Sequence, residues 1–259
     1  MLNPRQLRSA LVAIPTALLL APQLSMAQQQ PQDASATPWA LGLGVATSQR
    51  PYAGASSKTL PFPFVSYEND WFRIAGFGAD LKLGSAGPLT FALRAKYSLG
   101  DGYKSGDAPI LAGMQDRKGS LWLGPAVQWK TDIAKLSFEV LADTLGKSKG
   151  IEAKFGAEHD FRVGSFLLTP HAAAEFVDKK YVEYYYGVTA AEATANRPAY
   201  EGKSTVNLEA GLRAAFMIDR ANSVFVDGGA KALGKGITDS PLVDRKVTAA
   251  FAAGYIHRF

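Results

Sequence analysis

From Trp39 to Phe259 apolar and polar residues alternate with a period of two, in segments of about 9 to 15 residues separated by turn residues. Residues 89–99 are the clearest case. Leu89, Phe91, Leu93, Ala95, Tyr97 and Leu99 share one face, while Thr90, Ala92, Arg94, Lys96 and Ser98 share the other. The pattern recurs in 151–162, where Ile151, Ala153, Phe155 and Ala157 oppose Glu152, Lys154, Gly156, Glu158, Asp160 and Arg162. In 204–218 it places Val206, Leu208, Ala210, Leu212, Ala214, Phe216 and Ile218 together. Eleven segments carry it: 39–47, 58–68, 71–83, 89–99, 119–130, 134–145, 151–162, 165–177, 204–218, 223–233 and 245–259. Nothing between them has the length and period of an ordinary helix.

Period two predicts an all-β, antiparallel fold, and the question is which face lies inside. A soluble sandwich or barrel hides its apolar face, whereas a transmembrane barrel turns that face to lipid around a polar lumen. The segments match the nine to eleven residues that a tilted strand needs to cross a bilayer. The polar face is charged mid-strand. The apolar face carries aromatics near segment ends (Trp71, Tyr97, Trp129, Phe161, Tyr255), as interfacial girdles require. Connections alternate between short (84–88, 131–133, 163–164, 219–222) and long (100–118, 178–203, 234–244), as between periplasmic turns and external loops. In the last strand Val247, Phe251, Tyr255 and the terminal Phe259 share a face, like the strand that the outer-membrane insertion machinery reads; His257 departs from that pattern. Single-chain bacterial barrels have an even number of strands. Eleven segments therefore leave two readings. Either 39–47 or 58–68, the latter carrying Pro61 and Pro63, falls short of a full span and there are ten strands, or two strands are merged and there are twelve.

The first 27 residues have the layout of a cleaved secretory signal peptide. Arg5 and Arg8 precede the apolar run Ala10–Ala21, and Ser25-Met26-Ala27 offers small residues at a cleavage site. A polar periplasmic leader, 28–38, then precedes the barrel, 39–259, which is expected to sit as a monomer in the cell outer membrane. The full chain has 259 residues and a net charge of +5. Two arginines leave with the signal, so the rest carries 26 basic and 23 acidic residues, too weak an excess to point to nucleic acid.

Charge matters more by position. The inward acids are Asp80, Glu139, Asp143, Glu152, Glu158, Asp160, Glu175, Glu209 and Asp227. The inward bases are Lys82, Arg94, Lys96, Lys130, Lys135, Lys154, Arg162, Arg213, Lys231, Lys246 and Arg258. Interleaved and nearly balanced, they predict a sealed scaffold ahead of a selective pore, with a narrow channel as the alternative. With no cysteine and three scattered histidines, the chain offers no cofactor or metal set and no catalytic constellation, so a non-enzymatic role is expected. His159 and His257 fall on the outward face. His171 faces inward, but Glu175, four residues along the strand, is roughly 13 Å away and no direct partner.

Several motifs are more specific than the barrel. Pro51-Tyr52-Ala53-Gly54 follows the first strand. Leu60-Pro61-Phe62-Pro63 and Tyr67-Glu68 precede Trp71-Phe72. Gly100-Asp101-Gly102-Tyr103 comes next, then Tyr185-Tyr186-Gly187-Val188-Thr189, Glu192-Ala193 and Arg197-Pro198-Ala199-Tyr200. In this order they resemble the MipA/OmpV family of outer-membrane proteins over residues 39–259. The resemblance implies a scaffold for the murein machinery that holds a lytic transglycosylase and a murein synthase. It equally covers members linked to adhesion, so an external adhesin or ligand-binding barrel stays open. The expected partners are outer-membrane lipid, the insertion machinery and, by resemblance, those two murein enzymes. Tyr181, Tyr184, Tyr185, Tyr186 and Tyr200 have two readings: girdle and loop packing at the outer rim, or a contact surface for a binding partner. Murein enzymes would meet the short turns, the leader and the segment 49–57.

Overall fold

The eleven segments become twelve strands. The structure, a computed structural model, describes residues 39–259; the signal peptide and the leader lie outside the described residues. The wall consists of β1 (Trp39–Ser48), β2 (Lys58–Glu68), β3 (Phe72–Ala75), β4 (Gly78–Ala86), β5 (Leu89–Tyr97), β8 (Leu121–Lys130), β9 (Lys135–Asp143), β10 (Ile151–Glu158), β12 (Phe166–Val177), β13 (Thr205–Met217), β14 (Asn222–Ala232) and β15 (Val247–Arg258). A short strand, β11 (Phe161–Val163), continues β10 past His159-Asp160, and both pair with β12. β6 (Gly102–Tyr103) and β7 (Arg117–Lys118) form a separate ribbon in the loop between β5 and β8. All pairings in the wall are antiparallel. The ring closes where β1 meets β15, from Ala40 opposite Arg258 to Ser48 opposite Ala250.

Both 39–47 and 58–68 are full strands; the merged segment is 71–83. Ala75 pairs with Gly78 across a two-residue turn, with Gly76 at φ 57°, a conformation that glycine adopts without Cβ strain. The turn reverses the parity of the faces. Phe72 and Ile74 point outward before it, Ala79 and Leu83 after it. That switch from even to odd positions is the sequence signal that separates two strands from one.

Outward residues on the wall strands are mostly apolar and uncovered, up to Leu43 at 72% exposed. A monomer in water exposes contiguous apolar patches of only a few hundred Å². A full circumferential band belongs in lipid. The short turns 69–71, 87–88, 131–134, 164–165 and 218–221 lie at one end, with the C-terminus; the tight turn 76–77 points the opposite way, and the long loops 98–120, 178–204 and 233–246 lie at that opposite end, with 49–57 and 144–150. Short turns mark the periplasmic side. Residues 49–57 are therefore external, a correction to their expected place beside periplasmic partners: β1 ascends from the periplasmic rim, so its following loop lies outside. The loop 178–204 also carries a short helix, α1 (Lys179–Tyr186), and the loop 233–246 a single turn, α2 (Lys235–Thr238).

One sector of the wall is incomplete. β2 pairs with β1 along ten residues but with β3 only over Ser66–Glu68. The Gly76 amide donates to the Val65 carbonyl at 3.0 Å, so Val65 faces the β3 side of β2. By alternation Thr59, Pro61 and Pro63 face that side too. Among the described residues no strand pairs with them there. Proline carries no N–H to leave unbonded at such an edge, which is where sheets tolerate it.

The seam depends on glycine. A Cβ on Gly42 would sit 2.2 Å from the Tyr255 carbonyl oxygen, so β1 and β15 approach closer than any side chain allows. Inside the seam Phe62 lies over Gly44 and Phe225 over Gly254. With Phe64, Ala215 and Ile256 they form a buried apolar cluster filling that side of the lumen. Gly42→Ala is expected to part the seam at a cost of about 1–3 kcal/mol, measured as a lower urea midpoint for loss of the compact, heat-modifiable gel band.

Candidate functional site: a capped, charge-paired lumen

The external loops fold into a cap. Asp178 caps α1, its carboxylate accepting from the Tyr181 amide at 2.9 Å, and Tyr181 and Tyr185, four residues apart, then share the helix face turned inward. They pack on Trp122, Leu141 and Val177, the inward residues at the tops of β8, β9 and β12. A second cluster joins Tyr52, Tyr103, Leu111, Met114, Val188 and Leu242 from four different loops. The Tyr52 hydroxyl donates to the Tyr185 carbonyl (3.3 Å), the Ser240 hydroxyl to that of Tyr186 (2.6 Å) and the Tyr200 hydroxyl to that of Gly236 (2.8 Å).

The structure places all five tyrosines in the cap. Tyr181 and Tyr185 are buried, and Tyr184, Tyr186 and Tyr200 are half-buried. They are loop packing over the barrel mouth. The physical reason is the helix: its amphipathic turn points the rings down, where the strand tops offer an apolar floor.

Arg197 and Glu192 lock the cap. The buried Arg197 guanidinium donates to the carbonyls of Ile110 (2.5 Å) and Ala112 (2.9 Å) and twice to that of Glu192 (3.1 and 2.6 Å). The Glu192 carboxylate accepts from the Gln115 amide and Thr189 and pairs with Arg117, which also donates to the Tyr184 carbonyl at 2.7 Å. Periodicity could not find these residues, because the loops have no period; they stand in the ordered motifs that carried the family resemblance.

Below the cap the lumen charges pair across strands. Arg94 forks onto Asp80 (2.7 and 2.8 Å) and reaches Glu139 (2.5 Å). Lys96 bridges Glu139 and Glu152. Lys154 joins Glu209 at 2.5 Å, and Lys231 joins Glu175 (2.5 Å) and Glu209 (3.1 Å). Arg213 holds Asp227 at 3.0 Å, and His171 Nε2 lies 3.6 Å from the same carboxylate, making Asp227 its nearest acid in place of Glu175. Lys130, Arg162 and Lys246 are exposed at the rims. His257 Nδ1 lies 2.8 Å from Asn222 Oδ1, and His159 packs on Phe161. Among the described residues no His, Asp and Glu converge as a metal set.

The space left is a cavity of about 230 Å³, running from Arg73, Gln128 and Lys135 toward the periplasmic end up to Ser98, Asp101 and Tyr181 under the cap. Burial pushes the Asp101 carboxyl up to about 6; Glu152 and Glu175 add to the rise, and Lys231 and Lys96 oppose it. An unfolded aspartate titrates near about 3.9, so between these values the folded state holds the extra proton. The stabilising protonation is present at low pH and is lost as pH rises through about 6. Amides of 98–103 and 179–186 are expected to be better protected from hydrogen exchange at pH 5 than at pH 8, and Asp101→Asn should flatten that difference.

Val247, Phe251, Tyr255 and Phe259 all point outward into the apolar band. The family model described as MltA-interacting protein MipA matches residues 41–259. The chain belongs to the MipA family. An Escherichia coli (strain K12) relative named MltA-interacting protein is 26% identical over 224 residues, covering 85% of this chain and 90% of that protein. Outer membrane protein OmpV of Vibrio cholerae serotype O1 is 28% identical over 150 residues, 57% of this chain and 58% of its own. Among solved structures the NanC porin aligns at TM-score 0.49 and 7% identity, over 85% of this chain and all of that one. This MipA-family chain is an outer-membrane β-barrel.

Proposed function

We propose that the barrel is a non-enzymatic anchor for the murein machinery, offering its periplasmic rim to a lytic transglycosylase, with a murein synthase as the second enzyme held nearby. The observation that carries this reading is the closure of the outer mouth. A pinned cap covers the outer mouth and opposite charges neutralise one another along the wall, so the periplasmic rim is the face the barrel offers to a soluble enzyme. The Escherichia coli relative's name supports a partner of this class. On this reading the lipid-facing Val247, Phe251, Tyr255 and Phe259 serve export, as the signal read by the insertion machinery.

Affinity capture of the tagged barrel from its own envelope tests the proposal. Enrichment of a lytic transglycosylase over an unrelated barrel is expected. It should persist when 178–203 is deleted and fall when the turns 69–71 and 131–134 are replaced. Capture lost with 178–203 in a correctly inserted variant would move the function to the external face, where an adhesin or ligand-binding role would work. In planar bilayers the intact barrel should give no discrete channel events; regular steps would revive the narrow pore.

A further inference from the structure

The incomplete sector of the wall is framed on every side. Below lies the hairpin tip Gly76-Phe77. One flank is the free edge of β2, with Pro61 and Pro63. The other is the chain that follows β5, residues 98–103, since β5 itself is paired with β4 up to its end, where the Tyr97 amide donates to the Phe77 carbonyl at 3.1 Å. Above, the loop 49–57 meets the loop 98–120, where Arg50 pairs with Asp107 at 2.9 Å.

The lumen cavity reaches this gap. Its lining includes Ala75, Phe77 and Gly78 at the hairpin tip, and Tyr97. Tyr97 belongs to the outward face of β5 and is 40% exposed. Thr59, Pro61 and Pro63 also turn backbone carbonyls into the gap with no strand to bond them. At bilayer depth such groups are tolerated only where protein or water covers them.

We propose that this window is a lateral portal at which the barrel binds an amphiphile of the outer leaflet, its hydrocarbon chain in the bilayer and its zwitterionic headgroup in the lumen. The chemistry changes sharply across the opening. Pro61, Pro63, Phe77 and Tyr97 give the rim an apolar surface. Just inside, Asp80, Arg94, Lys96 and Glu139 alternate in sign. A pure hydrocarbon would have to desolvate those charges, and a polar solute from outside meets the cap. A molecule with one positive and one negative group on an apolar chain matches both halves. The inference does not depend on which enzyme meets the periplasmic rim.

The chain has no cysteine, so Gly78→Cys supplies a single thiol in the cavity; a Cβ there meets nothing closer than 3.7 Å. The barrel is reconstituted in phospholipid vesicles. A methanethiosulfonate on a hexadecyl chain, held in the bilayer, is compared with a charged, water-soluble methanethiosulfonate. The anchored reagent is expected to label at least ten-fold faster, and lysophosphatidylethanolamine should slow it at least three-fold. Ser137→Cys, elsewhere on the cavity wall, should show the same order and serves if the first variant folds poorly by gel mobility. Equal or faster labelling by the soluble reagent would overturn the portal, and so would failure of the anchored reagent to react. Labelling that lysophosphatidylethanolamine does not slow would overturn the amphiphile site.

Discussion

Arg94→Leu is expected to cost the barrel about 3–5 kcal/mol, the range for breaking a buried ion pair by removing one partner. Arg94 is 4% exposed, and its guanidinium serves both Asp80 and Glu139. Without it, Glu139 keeps from its ion pairs only the 3.5 Å contact with Lys96. Two carboxylates would face a low-dielectric wall with most of their compensation gone. Arg94→Lys should recover less than half of the loss, because an ammonium cannot form the planar fork. Replacing Asp80, Arg94 and Glu139 together by leucine should be far milder than the single change, since no unpaired charge then remains. Urea unfolding in lipid vesicles, followed by tryptophan fluorescence, measures all three. A loss below about 1 kcal/mol for Arg94→Leu would mean that the ladder behaves like an exposed, water-screened pair.

Arg197→Ala should release the cap and leave the wall intact. The four hydrogen bonds from its guanidinium end on the carbonyls of Ile110, Ala112 and Glu192. Bonds to a charged group contribute about 1.5–3 kcal/mol each. Every 1.4 kcal/mol is tenfold in an opening equilibrium, so cleavage within 189–200 by a broad-specificity protease on intact cells should rise at least about 100-fold. The heat-modifiable band of the barrel should persist, because no wall strand loses a partner. Unchanged resistance would show that Arg117 and Glu192 hold the two loops without Arg197.

What was legible in the sequence follows from what lipid enforces. Bilayer contact requires an apolar side chain at every second position, so 89–99, 151–162 and 204–218 declare themselves. The inward charges were legible for the same reason, by subtraction. Their pairing was not. Lys96 finds Glu152 and Lys154 finds Glu209 across distances in sequence that only register and barrel stagger determine. The turn at Gly76-Phe77 is too short to interrupt the apolar pattern and shows only as a change of parity. The tyrosines of 181–186 were visible as a cluster, but their direction depends on a helix too short to announce itself by period. Arg197 lies in a loop with no repeat at all, and its partners are carbonyls, which no sequence pattern marks.

The β1–β15 pairing has a consequence for assembly. Every other pairing in the wall joins strands adjacent in sequence, so it forms by local hairpin closure. The seam alone brings together Ala40 and Arg258. Closing a loop of that length carries an entropic cost of the order of 5 kcal/mol by the (3/2)RT ln n scaling, recovered only when the nine-residue register locks as a unit. The rest of the wall can zip hairpin by hairpin while the seam stays open as a curved, two-edged sheet. Whatever accompanies this chain into the membrane must therefore hold two distant edges apart from other strands until the last dozen residues arrive. Gly42, bare against the Tyr255 carbonyl, is where that final suture is drawn tight.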